Sequence, residues 1–123
     1  MLLQDQTDPA HPDHAVSQEL RAALEQATDA AGRSFEIIDL PAPATLKDHE
    51  VFVDWSYVNH LVVNGGVIAC GFGEAEADAN ARAILAEAYP GREVVTVDAR
   101  PIFDRGGGIH CITQQQPSLV GGR

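Results

Sequence analysis

Basic residues are scarce in this chain of 123 residues: 8 Lys and Arg stand against 18 Asp and Glu, and the formal net charge is −10. Nucleic-acid binding depends on clustered basic side chains, so this composition argues against a nucleic-acid partner. An acidic surface steers cationic small molecules towards a protein, and it also serves simply to keep a protein in solution. Both interpretations stay open at this point.

Long apolar runs and cysteines are also few. No segment approaches the ~18 consecutive apolar residues that a membrane span requires. The N-terminal stretch MLLQDQTDPAHPDH lacks the basic segment and apolar core of a signal peptide. Two cysteines, Cys70 and Cys111, are too few for the disulfide framework of a small secreted domain. We therefore expect a cytoplasmic protein with free thiols and no membrane partner.

The first third of the chain predicts a loop, a helix and a strand. Residues 1–13 are polar and contain two prolines, which predicts a flexible N-terminal segment ahead of a domain at 14–123. Residues 14–30 carry apolar side chains at helical spacing, and Gly32 stands where a C-cap glycine would. The stripe that should face one side consists of Val16, Leu20, Ala23, Leu24 and Ala27. SFEIIDLP (34–41) then predicts a short strand that ends at a proline.

The remainder predicts a hairpin, a second helix and two more strands. After the turn-rich APATLKDHE, the Asn-Gly pair at 64–65 indicates a hairpin between strands at about 57–63 and 67–69. Alanine and glutamate predict a helix over 76–89 that Pro90 and Gly91 end. REVVTVDARP predicts a strand, and we expect IHCIT (109–113) to form the last one.

Two stretches resemble each other: AAGRSFEIIDLPAP and YPGREVVTVDARP. Each has a helix end, Gly-Arg, a strand, Asp and proline, which indicates either an internal repeat or a chance similarity of two helix–turn–strand segments. The predicted order α, β, β, β, α, β, β gives an α+β fold with a mixed sheet of ββαβ-like units. The chain would begin within such a unit.

The glycine run GGG before IHCIT is the strongest candidate for chemistry. Glycines allow a ligand to approach the backbone, but the spacing of a phosphate-binding loop is absent. Cys111 follows the run, where a thiolate would be presented to a substrate, although a lone cysteine is more often a small buried hydrophobe. Cys70, within VIACGFG, is expected to be such a buried thiol. If 109–113 is a strand, His110 and Cys111 point to opposite faces, so the acid/base partner must come from elsewhere.

The other histidines give no metal-ligand spacing. His11 and His14 lie in the terminal region, and His49 and His60 have no fixed relation to Cys111 in sequence. Without a CxxC or HxxxH pattern, we expect neither a zinc site nor any other cofactor.

The run RGGGIHCITQQQP resembles the C-terminal active-site signature of agmatine deiminases, of the pentein superfamily of guanidine-modifying enzymes. The resemblance extends upstream through SYVNHLVVNGGVIACGFGEAEADANARAILAEAYPGREVVTVDARPI and DPAHPDHAVSQELRAALEQATDAAGRSFEIIDLPAP, so it covers nearly the whole chain. It implies a hydrolase of polyamine and putrescine biosynthesis in which Cys111 attacks the guanidinium carbon of agmatine. Gly107 and Gly108 would line the substrate pocket.

The resemblance also implies that parts of the enzyme lie outside this chain. Family members are much longer, and their carboxylates and catalytic histidine follow a Gly-Gly…His motif that residues 1–105 lack. We therefore expect a partial pentein propeller of about two ββαβ units out of five, the C-terminal part of the catalytic domain. Its partners would be agmatine and either the missing N-terminal part or further copies of the chain. The alternatives are a non-catalytic interaction module of the same fold and a related arginine-type deiminase.

Overall fold

The structure, a computed structural model, describes residues 1–117. The predicted domain at 14–123 therefore includes six residues, 118–123, that lie outside the described part. The strands are β1 (Leu2–Asp5), β2 (Ile38–Pro41), β3 (Lys47–Asp48), β4 (Val51–Phe52), β5 (Leu61–Val63), β6 (Gly66–Gly71) and β7 (Glu93–Asp98). The helices are α1 (Asp13–Gln26), α2 (Ala75–Ala88) and α3 (Arg100–Phe103), followed by a 3-10 turn at His110–Ile112.

The central sheet has the order β5-β6-β7. Strands β5 and β6 are antiparallel, with Val63 opposite Gly66 and Asn64–Gly65 as the turn, and Gly65 has the positive φ of 78° that glycine tolerates. The predicted hairpin is thus confirmed. Strands β6 and β7 run parallel and are joined through α2. Such a parallel pair requires a crossover helix, and α2 covers one face of the sheet.

Helix α2 anchors the hydrophobic core. Leu85 is 0% exposed and Ala81 2% exposed, both beneath the sheet. The helix ends at Ala88, one residue before its predicted limit, because Pro90 cannot continue it. At its start, the Asp78 carboxylate accepts hydrogen bonds from the backbone N–H groups of 72–74 and from the Tyr57 hydroxyl. This carboxylate fixes the loop between β6 and α2.

The two similar sequence stretches adopt the same arrangement. Strands β1 and β2 are parallel and are joined through α1, as β6 and β7 are through α2. Gly32 and Gly91 follow the two helices with φ of 77° and 80°. The structural correspondence favours an internal repeat over chance similarity. In the second copy an antiparallel strand, β5, lies on the other side of β6, which gives a ββαβ unit.

The N-terminal segment differs from the prediction. We predicted a flexible loop over residues 1–13, but Leu2–Asp5 form strand β1 and Leu3 is only 2% exposed. The strand is short, and its partner is β2, far along the chain, so local sequence does not reveal it.

The predicted apolar stripe of α1 is largely uncovered. The helix spans Asp13–Gln26, shorter than the predicted 14–30, and its one buried residue is Ser17. Val16 and Leu20 are 57% and 48% exposed. Within residues 1–117, the Val16 and Leu20 side chains of this stripe are therefore largely exposed.

Three further segments correct the predictions. The strand predicted at 57–63 is limited to Leu61–Val63, because Asn59 N–H bonds back to the Ser56 carbonyl in a turn. The end of the turn-rich segment forms β3, which pairs with β4 immediately after it in a short hairpin. The strand predicted at 109–113 is wrong: this segment makes a 3-10 turn, in which Thr113 N–H bonds to the His110 carbonyl. Within residues 1–117, no helix has both the length and the apolar character of a membrane span.

Candidate functional site around Cys111

Cys111 lies in the 3-10 turn that follows α3 and the glycine run. Helix α3 packs Phe103 into the core at 6% exposure, which fixes where the chain leaves the sheet. Gly106 then reverses the chain with a φ of 92°, a conformation that side-chain-bearing residues rarely adopt. The turn that results leaves the Cys111 side chain exposed at the surface. The thiol is accessible to a reagent or a substrate.

Asn59 holds this turn in place. Its side-chain N–H donates to Cys111 Sγ at 3.0 Å, and its Oδ1 accepts the backbone N–H of His110 at 2.8 Å. Its backbone carbonyl accepts the thiol proton of Cys70 at 3.1 Å. One residue thus contacts both cysteines and the turn between the glycine run and the thiol.

Hydrogen bonding lowers the pKa of the Cys111 thiol. The largest cause is the bond from the Asn59 amide, followed by the backbone N–H of Gly108; both stabilise the thiolate. The Asp54 carboxylate acts in the opposite direction through its negative charge. A thiolate is the nucleophilic form of cysteine, so the contacts favour the reactive state.

The predicted substrate-binding glycines lie next to the thiol. A side chain at Gly107 would come within 3.0 Å of Cys111 Cβ and 3.1 Å of its Sγ. One at Gly108 would lie 2.6 Å from Asn59 Cγ and 2.7 Å from Phe103 Cζ. The two glycines therefore allow the turn to pack against Asn59 and Cys111. Gly108 is buried, and the role of either glycine in substrate binding stays a prediction.

Cys70 is the buried thiol that the sequence predicts. It is 1% exposed on β6, and burial raises its pKa to about 11. At neutral pH it is a protonated, inert side chain. The two cysteines therefore differ in environment: the Cys111 thiol is exposed and its pKa is lowered, whereas the Cys70 thiol is buried and its pKa is raised.

For His110, the strand argument that placed its side chain opposite the Cys111 thiol is wrong, because both residues lie in a 3-10 turn. Together with His60, Tyr89 and Gln115, His110 lines an open depression of about 560 Å³. His60 is buried; its Nδ1 donates to the Tyr57 carbonyl at 2.9 Å and its Nε2 accepts from the Tyr89 hydroxyl at 3.0 Å. Burial lowers the pKa of His60, and the adjacent His110 ring lowers it further.

The other histidines have local structural contacts. His11 is 6% exposed with Nε2 3.2 Å from the Val53 carbonyl, and His14 Nδ1 lies 2.7 Å from the Gln6 carbonyl. His49 is exposed. In the part of the chain that the structure describes, no group of three or more His, Cys, Asp or Glu is placed to hold a metal ion.

Asn59 is the site residue that sequence reasoning missed. It lies in a run of apolar and aromatic residues, SYVNHLVV, which we predicted as a strand. Its contact with Cys111 joins positions 52 residues apart, and no local pattern encodes that. The available signal was a carboxamide within an apolar run, where burying a polar side chain requires a partner.

Comparisons with known proteins place the chain in a family. The family model of the Porphyromonas-type peptidyl-arginine deiminases matches residues 1–117. A Streptomyces avermitilis protein named "Putative agmatine deiminase" is 53% identical over 112 residues, which are 91% of this chain and 32% of that protein. The agmatine deiminase of Stutzerimonas stutzeri is 40% identical over an alignment of 131 positions, which covers 91% of this chain and 35% of that protein.

A solved structure shows the same fold. The agmatine deiminase of Enterococcus faecalis superposes with a TM-score of 0.89 at 28% identity, over 97% of this chain and 37% of that one. The mixed α/β fold is thus that of the deiminases, and the chain spans about a third of the length of the relatives that it matches. With a family model that matches 1–117, this chain belongs to the Porphyromonas-type peptidyl-arginine deiminase family.

Proposed function

We propose that this chain carries the nucleophile of an agmatine deiminase and forms the C-terminal part of its catalytic domain, about two ββαβ units of a pentein propeller. The observation that supports this most directly is the exposed Cys111 thiol, whose pKa is lowered by Asn59 and the Gly108 amide. The relatives named agmatine deiminase match the chain over nine-tenths of its length, which favours agmatine as the substrate.

The proposed reaction has two balanced steps. The Cys111 thiolate attacks the guanidinium carbon of agmatine, an S–C bond forms, and the C–N bond to the departing group breaks as ammonia leaves. Water then attacks the same carbon, the S–C bond breaks, and N-carbamoylputrescine and the thiol are released. The sum is agmatine and water going to N-carbamoylputrescine and ammonia, a reaction of putrescine biosynthesis that needs no cofactor. Unpaired thiols support a cytoplasmic location.

The reaction needs groups beyond the thiol. A guanidinium must be oriented by carboxylates and its leaving nitrogen must be protonated. Within the described residues the histidine nearest in sequence, His110, lines a separate depression, and Asp54 opposes thiolate formation. We propose that these groups come from the part of the enzyme that the chain does not span. The exposed Val16 and Leu20 on α1 supply an apolar surface for that part, or for another copy of the chain.

The test is complementation. The chain is mixed or co-expressed with the remaining part of the Streptomyces avermitilis relative, and N-carbamoylputrescine is measured. We expect no turnover from the chain alone, turnover from the mixture, and its loss with Cys111→Ser. Cys70→Ser is the matched control, since this thiol is buried and its pKa is raised, and it should keep the activity of the folded protein. Turnover by the Cys111→Ser mixture would refute the assignment.

A further inference from the structure

We propose that Asn59 is a positioning residue for the nucleophile: its carboxamide fixes both the place and the protonation state of the Cys111 thiol. This inference rests on the proposed function only in calling Cys111 the nucleophile. The two ends of the carboxamide have different roles. Its N–H donates to Cys111 Sγ, and its Oδ1 accepts the backbone N–H of His110, the residue before Cys111.

The donor end stabilises the thiolate. The distance from Nδ2 to Sγ is 3.0 Å, well within contact for a hydrogen bond to sulfur. An N–H donor favours the charged form of its acceptor, so loss of this bond disfavours the thiolate. Because Cys111 is exposed, water replaces part of the lost interaction, and removal of the donor alone should have a modest effect.

The acceptor end orients the turn. Oδ1 accepts the His110 N–H at 2.8 Å, and the Asn59 backbone carbonyl lies 3.3 Å from the same nitrogen. These bonds set the start of the 3-10 turn, which directs the Cys111 side chain back over Asn59. The absence of a side chain at Gly108 leaves room for this carboxamide, since a Cβ there would lie 2.6 Å from Asn59 Cγ. Asn59 itself is held by the hairpin, since its carbonyl accepts the thiol proton of Cys70 on β6.

The substitution Asn59→Asp separates the two tasks. Aspartate has the same shape and keeps an acceptor for the His110 N–H, but it places a negative oxygen where the donor was. A like charge beside the thiol lowers the thiolate fraction about tenfold. A thiol of higher pKa is a somewhat better nucleophile once ionised, so the labelling rate at pH 7 should fall only about threefold. The variant Asn59→Ala removes both ends and should lower the rate by a similar or smaller factor.

The experiment measures alkylation of Cys111 by iodoacetamide from pH 5 to pH 10, with the rate followed on the Cys111 peptide by mass spectrometry. We expect the midpoint of the pH profile to move upward in both variants, and further in Asn59→Asp. The matched control is Asn80→Asp, the same change at an exposed site on α2, which should leave the profile in place. Circular dichroism and Trp55 fluorescence report whether the variants are folded.

Two results would overturn the proposal. The first is a pH profile whose midpoint is the same in both Asn59 variants as in the unsubstituted chain. It would show that the carboxamide does not act on the thiol. Unfolding of both variants would assign Asn59 a purely structural role. Because alkylation requires no deiminase activity, an unchanged profile with an active complemented enzyme rejects only this inference. A shifted profile with no turnover in any mixture rejects only the proposed function.

Discussion

Replacement of Gly108 by alanine should destabilise the chain by overpacking. The added Cβ would lie 2.6 Å from Asn59 Cγ, 2.8 Å from Asn59 Oδ1 and 2.7 Å from Phe103 Cζ. Carbon atoms in contact prefer about 3.5–4.0 Å, so the neighbours must move by roughly 1 Å. Phe103 is 6% exposed and packs against Phe72, which leaves little room on that side. Overpacking of this kind costs about 1–3 kcal/mol.

The loss of stability should lie near the upper end of this range if Asn59, rather than Phe103, moves to make room for the new Cβ. Its displacement would break the bonds to Cys111 Sγ and to the His110 N–H, each worth about 0.5–1.5 kcal/mol. The measurement is urea unfolding followed by fluorescence of Trp55, the single tryptophan, which stacks on Phe72 at 5.0 Å between ring centroids. Neither Gly107 nor Gly108 has a positive φ, so backbone strain does not contribute.

Gly107→Ala is the control for Gly108→Ala, because it makes the same substitution at the neighbouring residue. Its Cβ would meet only the Cys111 side chain, at 3.0 and 3.1 Å, and this side chain is exposed and can rotate away. We expect a loss below about 1 kcal/mol together with altered alkylation of Cys111. A Gly108→Ala chain within about 0.5 kcal/mol of the unsubstituted one would refute the packing argument.

Two further predictions concern stability. Asp78→Ala removes the acceptor of three backbone N–H groups and the Tyr57 hydroxyl, so the free energy of unfolding should fall by about 2–4 kcal/mol. The control Glu76→Ala, in the same helix turn, should cost far less. Equal losses for the two variants in urea unfolding would contradict this prediction. Burial holds the pKa of His60 in the folded chain below 6.5, its value in the unfolded chain. Between these two pKa values the unfolded chain therefore binds more protons than the folded chain. The folded chain should be most stable above pH 6.5 and should lose stability as the pH falls from 6.5 towards the folded-state pKa. His60→Gln should flatten that slope, and an unchanged slope would rule out His60 as its source.

Secondary structure could be predicted from the sequence where neighbouring residues determine it. Alanine and glutamate followed by Pro90-Gly91 define α2, and Asn64-Gly65 defines the β5-β6 hairpin. The strand β1 could not be predicted because its four residues gain their stability from β2, and parallel pairing depends on distant residues. The β-branched residues of IHCIT favour a strand, but the bond from the His110 N–H to Asn59 turns the chain instead.

The candidate site divides in the same way. The glycine run and Cys111 are adjacent in sequence, so local composition identifies them as a candidate site, and the family resemblance implies the role of Cys111. The contrast between Cys70 and Cys111 follows from their flanking residues. The pairing of Asn59 with Cys111 could not be predicted, because the two residues are 52 positions apart and the fold of the intervening hairpin, α2 and β7 brings them together. Residues that tune a nucleophile commonly come from other elements, since one short segment rarely supplies both the reactive atom and its partners.

Activation of the thiol and orientation of a substrate are therefore separate properties of this chain. The first depends on Asn59 and the Gly108 amide, both of which the chain supplies. For the proposed reaction, the second needs carboxylates facing the guanidinium and an acid for the leaving nitrogen. Near Cys111, the Asp54 charge raises the thiol pKa, and His110 lies along a separate depression. We therefore expect iodoacetamide to alkylate Cys111 readily in this chain, while agmatine stays intact. Under the proposed function, agmatine is hydrolysed only when the part of the enzyme outside this chain brings the remaining groups to the thiol.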